Sequence, residues 1–137
     1  MKQSSSLEIY TDGASRGNRG PAAYAFLFAR GGVVTCEESA YIGMATNNTA
    51  EYRAIIAALS KAREITQGHI EVFSDSELVI RQITGRYRIT KPHLSMLRFE
   101  IAELEQKFSS ISFRNVPREN SLIRRCDQLC NETLDAL

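Results

Sequence analysis

TNNTAEYRAIIAALSKAREITQGHIEVFSD, residues 46–75, changes its hydrophobic period partway along, and that change decides the fold. Ile55, Ala58, Leu59 and Ala62 recur at helical spacing, which predicts a helix opening after TNN and running to about Ile65. Asn48 is the expected N-cap, and Glu51 stands three residues later, the spacing of a capping box. Gly68 then breaks the pattern. HIEVFSD is a short apolar strand suited to the middle of a sheet, because strand–helix–strand crossovers produce parallel neighbours.

Upstream, every element is extended. Leu7, Ile9 and Thr11 alternate with Glu8 and Tyr10, predicting a strand over Leu7–Thr11. DGASRGNRGP is a Gly-rich turn closed by Pro21, Ala22–Ala29 is a second strand, and Gly31-Gly32 turns the chain into a third over Val33–Met44. Downstream, a short helix is expected over Glu77–Ile83 and a loop over Gly85–Pro92. Leu94, Leu97, Ile101, Leu104 and Phe108 form a helical stripe. Ser110–Val116 is a fifth strand, and a last helix spans roughly Asn120–Leu134. The order β-β-β-α-β-α-α-β-α predicts an α/β fold: one mixed five-stranded sheet with helices on both faces, forming a single domain over 1–137.

Composition narrows the class. An apolar content of 43% is that of a globular chain, and the longest apolar run, AAYAFLFA, is strand-length, far short of a membrane span. MKQSSSLEIY lacks the apolar stretch of a signal peptide, so none is expected. The net charge of +1 is uninformative, but four basic residues and no acid fall between Arg81 and Lys91, and Arg118, Arg124 and Arg125 cluster later. Cys36, Cys126 and Cys130 are an odd number without a CxxC. The last two read as small apolar packing residues in a reducing, cytoplasmic setting. His69 and His93 are too far apart to argue for zinc.

The acids carry the chemistry. Asp12 and Asp75 end strands expected at the centre of the sheet, while Glu51 shares a helical face with Ile55, Ala58 and Ala62. Asp127 shares one with Ile123, Cys130 and Leu134, so it leans toward the apolar boundary. Each also has a structural use. Asp12 could open an Asp-Gly turn, Glu51 complete a capping box, and Asp127 face solvent; Asp75 could cap the next helix, or Ser74 could with Glu77 as partner. Four converging carboxylates would repel one another, and oxygen-only ligands point to Mg²⁺ or Mn²⁺. The number suits two ions about 3.5–4 Å apart, the arrangement that hydrolyses phosphodiesters.

YTDGAS, GNRGP, TNNTAEY, FSDSELV and VPRENSLIRRCDQLCNETL, in that order, resemble the type 1 ribonuclease H family over nearly the whole chain. The resemblance implies a ribonuclease H-like fold and a metal-binding set of Asp12, Glu51, Asp75 and Asp127. It implies cleavage of the RNA strand of RNA/DNA hybrids, leaving 5′-phosphate and 3′-hydroxyl ends. Gly13, Asn18, Gly20, Asn47 and Asn48 would meet the minor groove of the hybrid, where 2′-hydroxyls distinguish RNA from DNA, although Asn47 reads equally as a simple helix-start residue. Ser74 and Ser76 would lie near the DNA-strand phosphate. A monomer with no membrane association and no obligate protein partner is expected.

Two departures mark this chain. It has no tryptophan, so the basic, tryptophan-bearing protrusion of many bacterial members is missing, and Arg86, Arg88 and Lys91 are candidates for weaker phosphate contacts. The loop before the last acid reads VPRENS where those members carry a histidine. This resembles a compact, archaeal-like branch, with Arg118 and Glu119 as candidates for that role, and Arg118 equally for a phosphate or helix-end contact. Relatives of the branch leave double-stranded RNA open as a second substrate. The competing functions are a non-catalytic duplex-binding module and a recombinase- or exonuclease-type relative, and the TNNxAE signature argues against the latter.

Overall fold

The computed structural model describes residues 6–137; residues 1–5, on which the signal-peptide expectation partly rests, lie outside it. Among the described residues five strands form one sheet: β1 (Leu7–Ser15), β2 (Gly20–Arg30), β3 (Val33–Ala45), β4 (His69–Ser74) and β5 (Ser110–Asn115). Their spatial order is β3-β2-β1-β4-β5. β1, β2 and β3 pair antiparallel, while β4 is parallel to both β1 and β5. Four helices among the described residues complete the fold: α1 (Asn47–Ala62), α2 (Glu77–Ile83), α3 (Pro92–Glu105) and α4 (Ser121–Asp135). The expected mixed sheet with helices on both faces is the observed one.

Strand alternation in AAYAFLFA builds two different cores. Phe26 and Phe28 point to one face, where they pack with Leu7, Ile9, Val72 and the α1 residues Ile55, Ala58 and Leu59. Ala23, Ala25, Leu27 and Ala29 point to the other, against Cys126, Cys130 and Leu134 of α4. Small residues on both sides bring α4 close to β2. Cys126 and Cys130 are buried free thiols, as their spacing implied, and Cys126 Sγ donates to the Tyr10 carbonyl at 3.3 Å.

Four local expectations are corrected. β1 does not stop at Thr11: Asp12, Gly13, Ala14 and Ser15 continue the ladder opposite Ala25, Tyr24, Ala23 and Ala22, and the turn shrinks to residues 16–19. The small side chains of this stretch allow the tight pairing, which Arg16 N–H closes on the Pro21 carbonyl at 2.9 Å. α1 is capped by Thr46, whose hydroxyl accepts from Thr49 N–H at 3.2 Å, so Asn48 lies inside the first turn. Glu51 is therefore outside the capping-box register. α2 is capped by Ser76, accepting from Val79 N–H at 3.2 Å, rather than by Asp75 or Ser74. α1 also ends at Ala62, one turn short of Ile65.

Candidate metal and nucleic-acid site

β1 and β4 lie side by side and parallel, with Tyr10 stacked on Phe73 at 4.6 Å between ring centroids, so the chain leaves both strands at the same edge. Asp12 stands in the outer half of β1, and Asp75 immediately follows β4. α1 starts directly over Gly13: a Cβ there would overlap the Ala50 carbonyl group and the Glu51 amide. That close approach lowers Glu51 onto Asp12 and the end of β4. One carboxylate oxygen from each of Asp12, Glu51 and Asp75 lies within 4.8 Å of the others.

These acids are held against their ordinary ionisation. Asp12 is 6% exposed, and burial, then the charges of Asp75 and Asp127, push its pKa up to about 8; the Gly13 backbone N–H opposes this. Burial, then Asp12 and Asp75, push Glu51 well above the carboxylate range. Asp75 is raised by burial, while the Arg118 guanidinium, 3.8 Å from its Oδ2, pulls it back down. Glu51 Oε1 is buried without a hydrogen-bond partner among the described residues. A buried oxygen with no donor beside two further carboxylates is the arrangement a hard cation completes. The oxygen-only donor set fits Mg²⁺ or Mn²⁺.

Asp127 takes a different position from the one its spacing suggested. Ile123, Cys126, Cys130 and Leu134 occupy the buried face of α4, and Asp127, at the edge of that face, is exposed. It still lines the cleft that holds Asp12, Glu51 and Asp75. The acids are thus a sheltered triad with a fourth carboxylate on the rim. Asn131, one helical turn on, donates from Nδ2 to the Asp127 carbonyl at 3.1 Å and to its Oδ2 at 3.4 Å.

Gly13, Asn47, Asn48, Ser76 and Arg118 line this cleft, as do Ala14, Ile123 and Arg124, which the sequence reading did not single out as site residues. Asn18 and Asn47 brace its wall. Asn47 Oδ1 accepts from Ser15 N–H at 2.7 Å, and Asn18 Oδ1 accepts from Asn47 N–H at 2.8 Å. With both oxygens engaged by backbone donors, the free ends are NH₂ groups. Asn18 holds φ 40°, a left-handed conformation asparagine tolerates. Gly20 packs where a Cβ would strike the Arg16 carbonyl, and its N–H donates to Ser15 Oγ at 3.0 Å. Ser74 is fully buried, with its hydroxyl accepting from Ser76 N–H at 3.1 Å, so it supports the site from below.

Arg86, Arg88 and Lys91 are exposed in the α2–α3 connection and do not line the acid cleft. His93 follows them on the first turn of α3, where its Nε2 is 3.3 Å from Thr49 Oγ1. The fold therefore brings this histidine to the start of α1, two residues from Glu51. Only the crossover topology could reveal that, since 44 residues separate the pair.

An antiparallel meander feeding parallel crossovers, with an acid triad at one edge of its two inner neighbouring strands, defines the ribonuclease H-like α/β class. Residues 10–133 match the reverse transcriptase-like family model. The chain is 44% identical over 130 residues to ribonuclease HI of Halobacterium salinarum, covering 94% of this chain and 64% of that protein. It spans 35% of the mycobacterial relatives, at 38% identity. The crystal structure of the Halobacterium RNase H1 superposes with a TM-score of 0.89 at 41% identity, covering 96% of this chain and 98% of that one. LC11-RNase H1, solved in complex with an RNA/DNA hybrid, gives 0.89 at 38% identity, covering 95% and 97%. The chain belongs to the type 1 ribonuclease H family.

Proposed function

We propose that this chain is a metal-dependent endonuclease that hydrolyses the RNA strand of RNA/DNA hybrids, leaving 5′-phosphate and 3′-hydroxyl ends. The observation that carries the reading is the sheltered triad of Asp12, Glu51 and Asp75, with one oxygen of Glu51 lacking any donor among the described residues. These three residues and Asp127 would hold two Mg²⁺ or Mn²⁺ ions. Bound there, the metal would supply an activated water and stabilise the departing oxygen. The protein's own part is positional. Asp12 stands in the outer half of β1, Asp75 just beyond the end of the neighbouring β4, Glu51 descends from α1, and Asp127 stands on the rim of the cleft.

The wall of the same cleft and the relative solved with an RNA/DNA hybrid support the duplex class. The NH₂ ends of Asn18 and Asn47 suit the acceptors of a minor groove and its 2′-hydroxyls. Ser76 and Asn48 line the cleft and would contact the strands directly, as would the backbone of Gly13, while Gly20 shapes the turn behind it by packing on the Arg16 carbonyl. Arg118 would act at the attacked phosphate, in the loop where bacterial members carry a histidine. Arg86, Arg88 and Lys91 would hold backbone phosphates further along the duplex. The short α2–α3 connection, without tryptophan, supports placement in the compact, archaeal-like branch.

Among the described residues no helix is long and apolar enough to cross a membrane. The three free cysteines support a reducing, cytoplasmic setting. Cleavage of labelled RNA/DNA, RNA/RNA and DNA/DNA duplexes with Mg²⁺, Mn²⁺ or EDTA tests the proposal. Hybrid cleavage that survives EDTA, or survives Asp12→Asn and Asp75→Asn, would overturn it. Tight hybrid binding without cleavage would favour the duplex-binding module, and the RNA/RNA lane decides whether double-stranded RNA is a second substrate.

A further inference from the structure

The β1–β2 turn and the rim carboxylate are joined by a chain of side chains that the chemistry above leaves unused. Arg16, the first residue of the turn, reaches across to α4. Its Nη2 stands 2.6 Å from Asp135 Oδ1 and 3.4 Å from both the carbonyl oxygen and Oδ1 of Asn131. Because the Asn131 oxygen faces the guanidinium, its amide nitrogen is the end that meets Asp127, at the distances given above. Asp127, Asn131 and Asp135 follow one another at four-residue intervals, so they share one side of the helix. Two residues beyond Arg16, Asn18 accepts from Asn47 N–H. Turn, α1 start and rim acid are thereby connected.

An exposed carboxylate samples several rotamers, and a cation ligand weakens with the fraction of time it points elsewhere. A neutral amide is well suited to restrain it. It engages one oxygen without neutralising the charge, whereas lysine or arginine at the same place would compete with a cation. Arg16 sets which way the amide faces, and Asp135 sets Arg16.

Resting on the metal-dependent reading of the site, we infer that Asn131 is a positioning residue for Asp127. Arg16 and Asp135 hold Asn131 and tie the rim acid to the turn that carries Asn18. Metal affinity at the rim therefore depends on a residue that touches neither metal nor duplex.

The test compares the full chain with Asn131→Ala, Arg16→Ala and the double variant. Mn²⁺ binding to the free protein is read from the paramagnetic resonance of unbound Mn²⁺, and hybrid cleavage is followed across a Mn²⁺ titration. Asn131→Ala is expected to weaken Mn²⁺ binding about 10-fold and to raise the Mn²⁺ needed for half-maximal cleavage in step. KM for the hybrid at saturating Mn²⁺ should stay within about 2-fold, and the circular dichroism unchanged. Arg16→Ala should give a smaller shift of the same sign, and the double variant no more than Asn131→Ala alone. Unchanged Mn²⁺ binding in Asn131→Ala, or fully additive shifts, would overturn the inference. If the unsubstituted protein binds Mn²⁺ but cuts no hybrid, the proposed function fails, and the Mn²⁺ comparison still decides the role of Asn131.

Discussion

Gly13 and Ala50 meet backbone to backbone, and a Cβ on Gly13 would stand 2.7 Å from the Ala50 carbonyl oxygen, with the rest of that peptide closer still. This contact sets the height of Glu51 above Asp12. Both neighbours are backbone atoms within a helix, so neither can swing aside as a side chain would. Gly13→Ala is expected to cost about 1–3 kcal/mol of stability through overpacking. It should also lower hybrid cleavage by at least about 10²-fold, since a displacement of roughly 1 Å at a reacting group costs that much. Thermal melting and single-turnover cleavage on the same preparation separate the two effects. A variant that cleaves normally would show that α1 does not set the acid geometry.

The buried acids make the metal-free protein respond to pH in an unusual direction. Asp12, raised to about 8 by burial first and then by Asp75 and Asp127, binds its proton more tightly when folded than when unfolded. Its contribution to stability is therefore complete below its unfolded pKa near 3.8 and is lost as pH rises through about 8. Glu51, also raised, acts in the same sense. In EDTA, the contribution of these groups to the melting temperature should fall between pH 5 and 8, and millimolar Mg²⁺ or Mn²⁺ should recover it at the alkaline end. Asp12→Asn should flatten the profile and stabilise the metal-free protein at pH 8 by about 1–2 kcal/mol. A wild-type profile identical to that of Asp12→Asn would contradict the shift.

Asn47 does two jobs at once, and a substitution can separate them. Its Oδ1 accepts from Ser15 N–H, and its own N–H donates to Asn18. Asn47→Ala leaves the part-buried Ser15 amide without its acceptor, an expected loss of about 1–2 kcal/mol. Asn18→Gly keeps the left-handed backbone of the turn while removing the brace. Both variants should raise KM for the hybrid more than they lower kcat, because they loosen the wall and leave the acids in place. A pure loss of kcat with unchanged KM would place Asn47 in the chemistry instead.

Arg118 pairs with Asp75 at 3.8 Å, yet its side chain is 87% exposed, so the pair adds little to stability. Arg118→Ala should change the unfolding free energy by less than about 0.5 kcal/mol. If Arg118 acts where bacterial members have a histidine, kcat should drop by about 10²-fold, with KM changed far less. Arg118→Lys, which keeps the charge and loses the planar fork, should recover only part of it. Equal cleavage by Arg118→Ala would remove the residue from the reaction.

Much of this molecule was legible in the linear chain. The switch from period two to period 3.6 between residues 7 and 75 defined the meander and the first crossover. The apolar faces of α1 and α4 came from spacing alone, and with them the inward turn of Glu51, which is 8% exposed. These features are local, because side-chain direction follows from strand alternation and helical pitch.

Tertiary structure decided whatever depended on competition between neighbours. Asn48, Asp75 and Ser74 are all capable caps for α1 and α2, but it is the hydroxyls of Thr46 and Ser76 that accept from the amide three residues on. Asp127 lies near the apolar stripe of α4, and the packing of Cys126 and Cys130 against β2 left it on the rim. The contacts of Arg16 with Asn131 and Asp135, and of His93 with Thr49, join residues far apart in the chain. Periodicity specifies which side of an element faces the core, but not which part of another element lies opposite. The family signature lay in the order of the residues, and the division into a sheltered triad and a tethered fourth acid came only with packing.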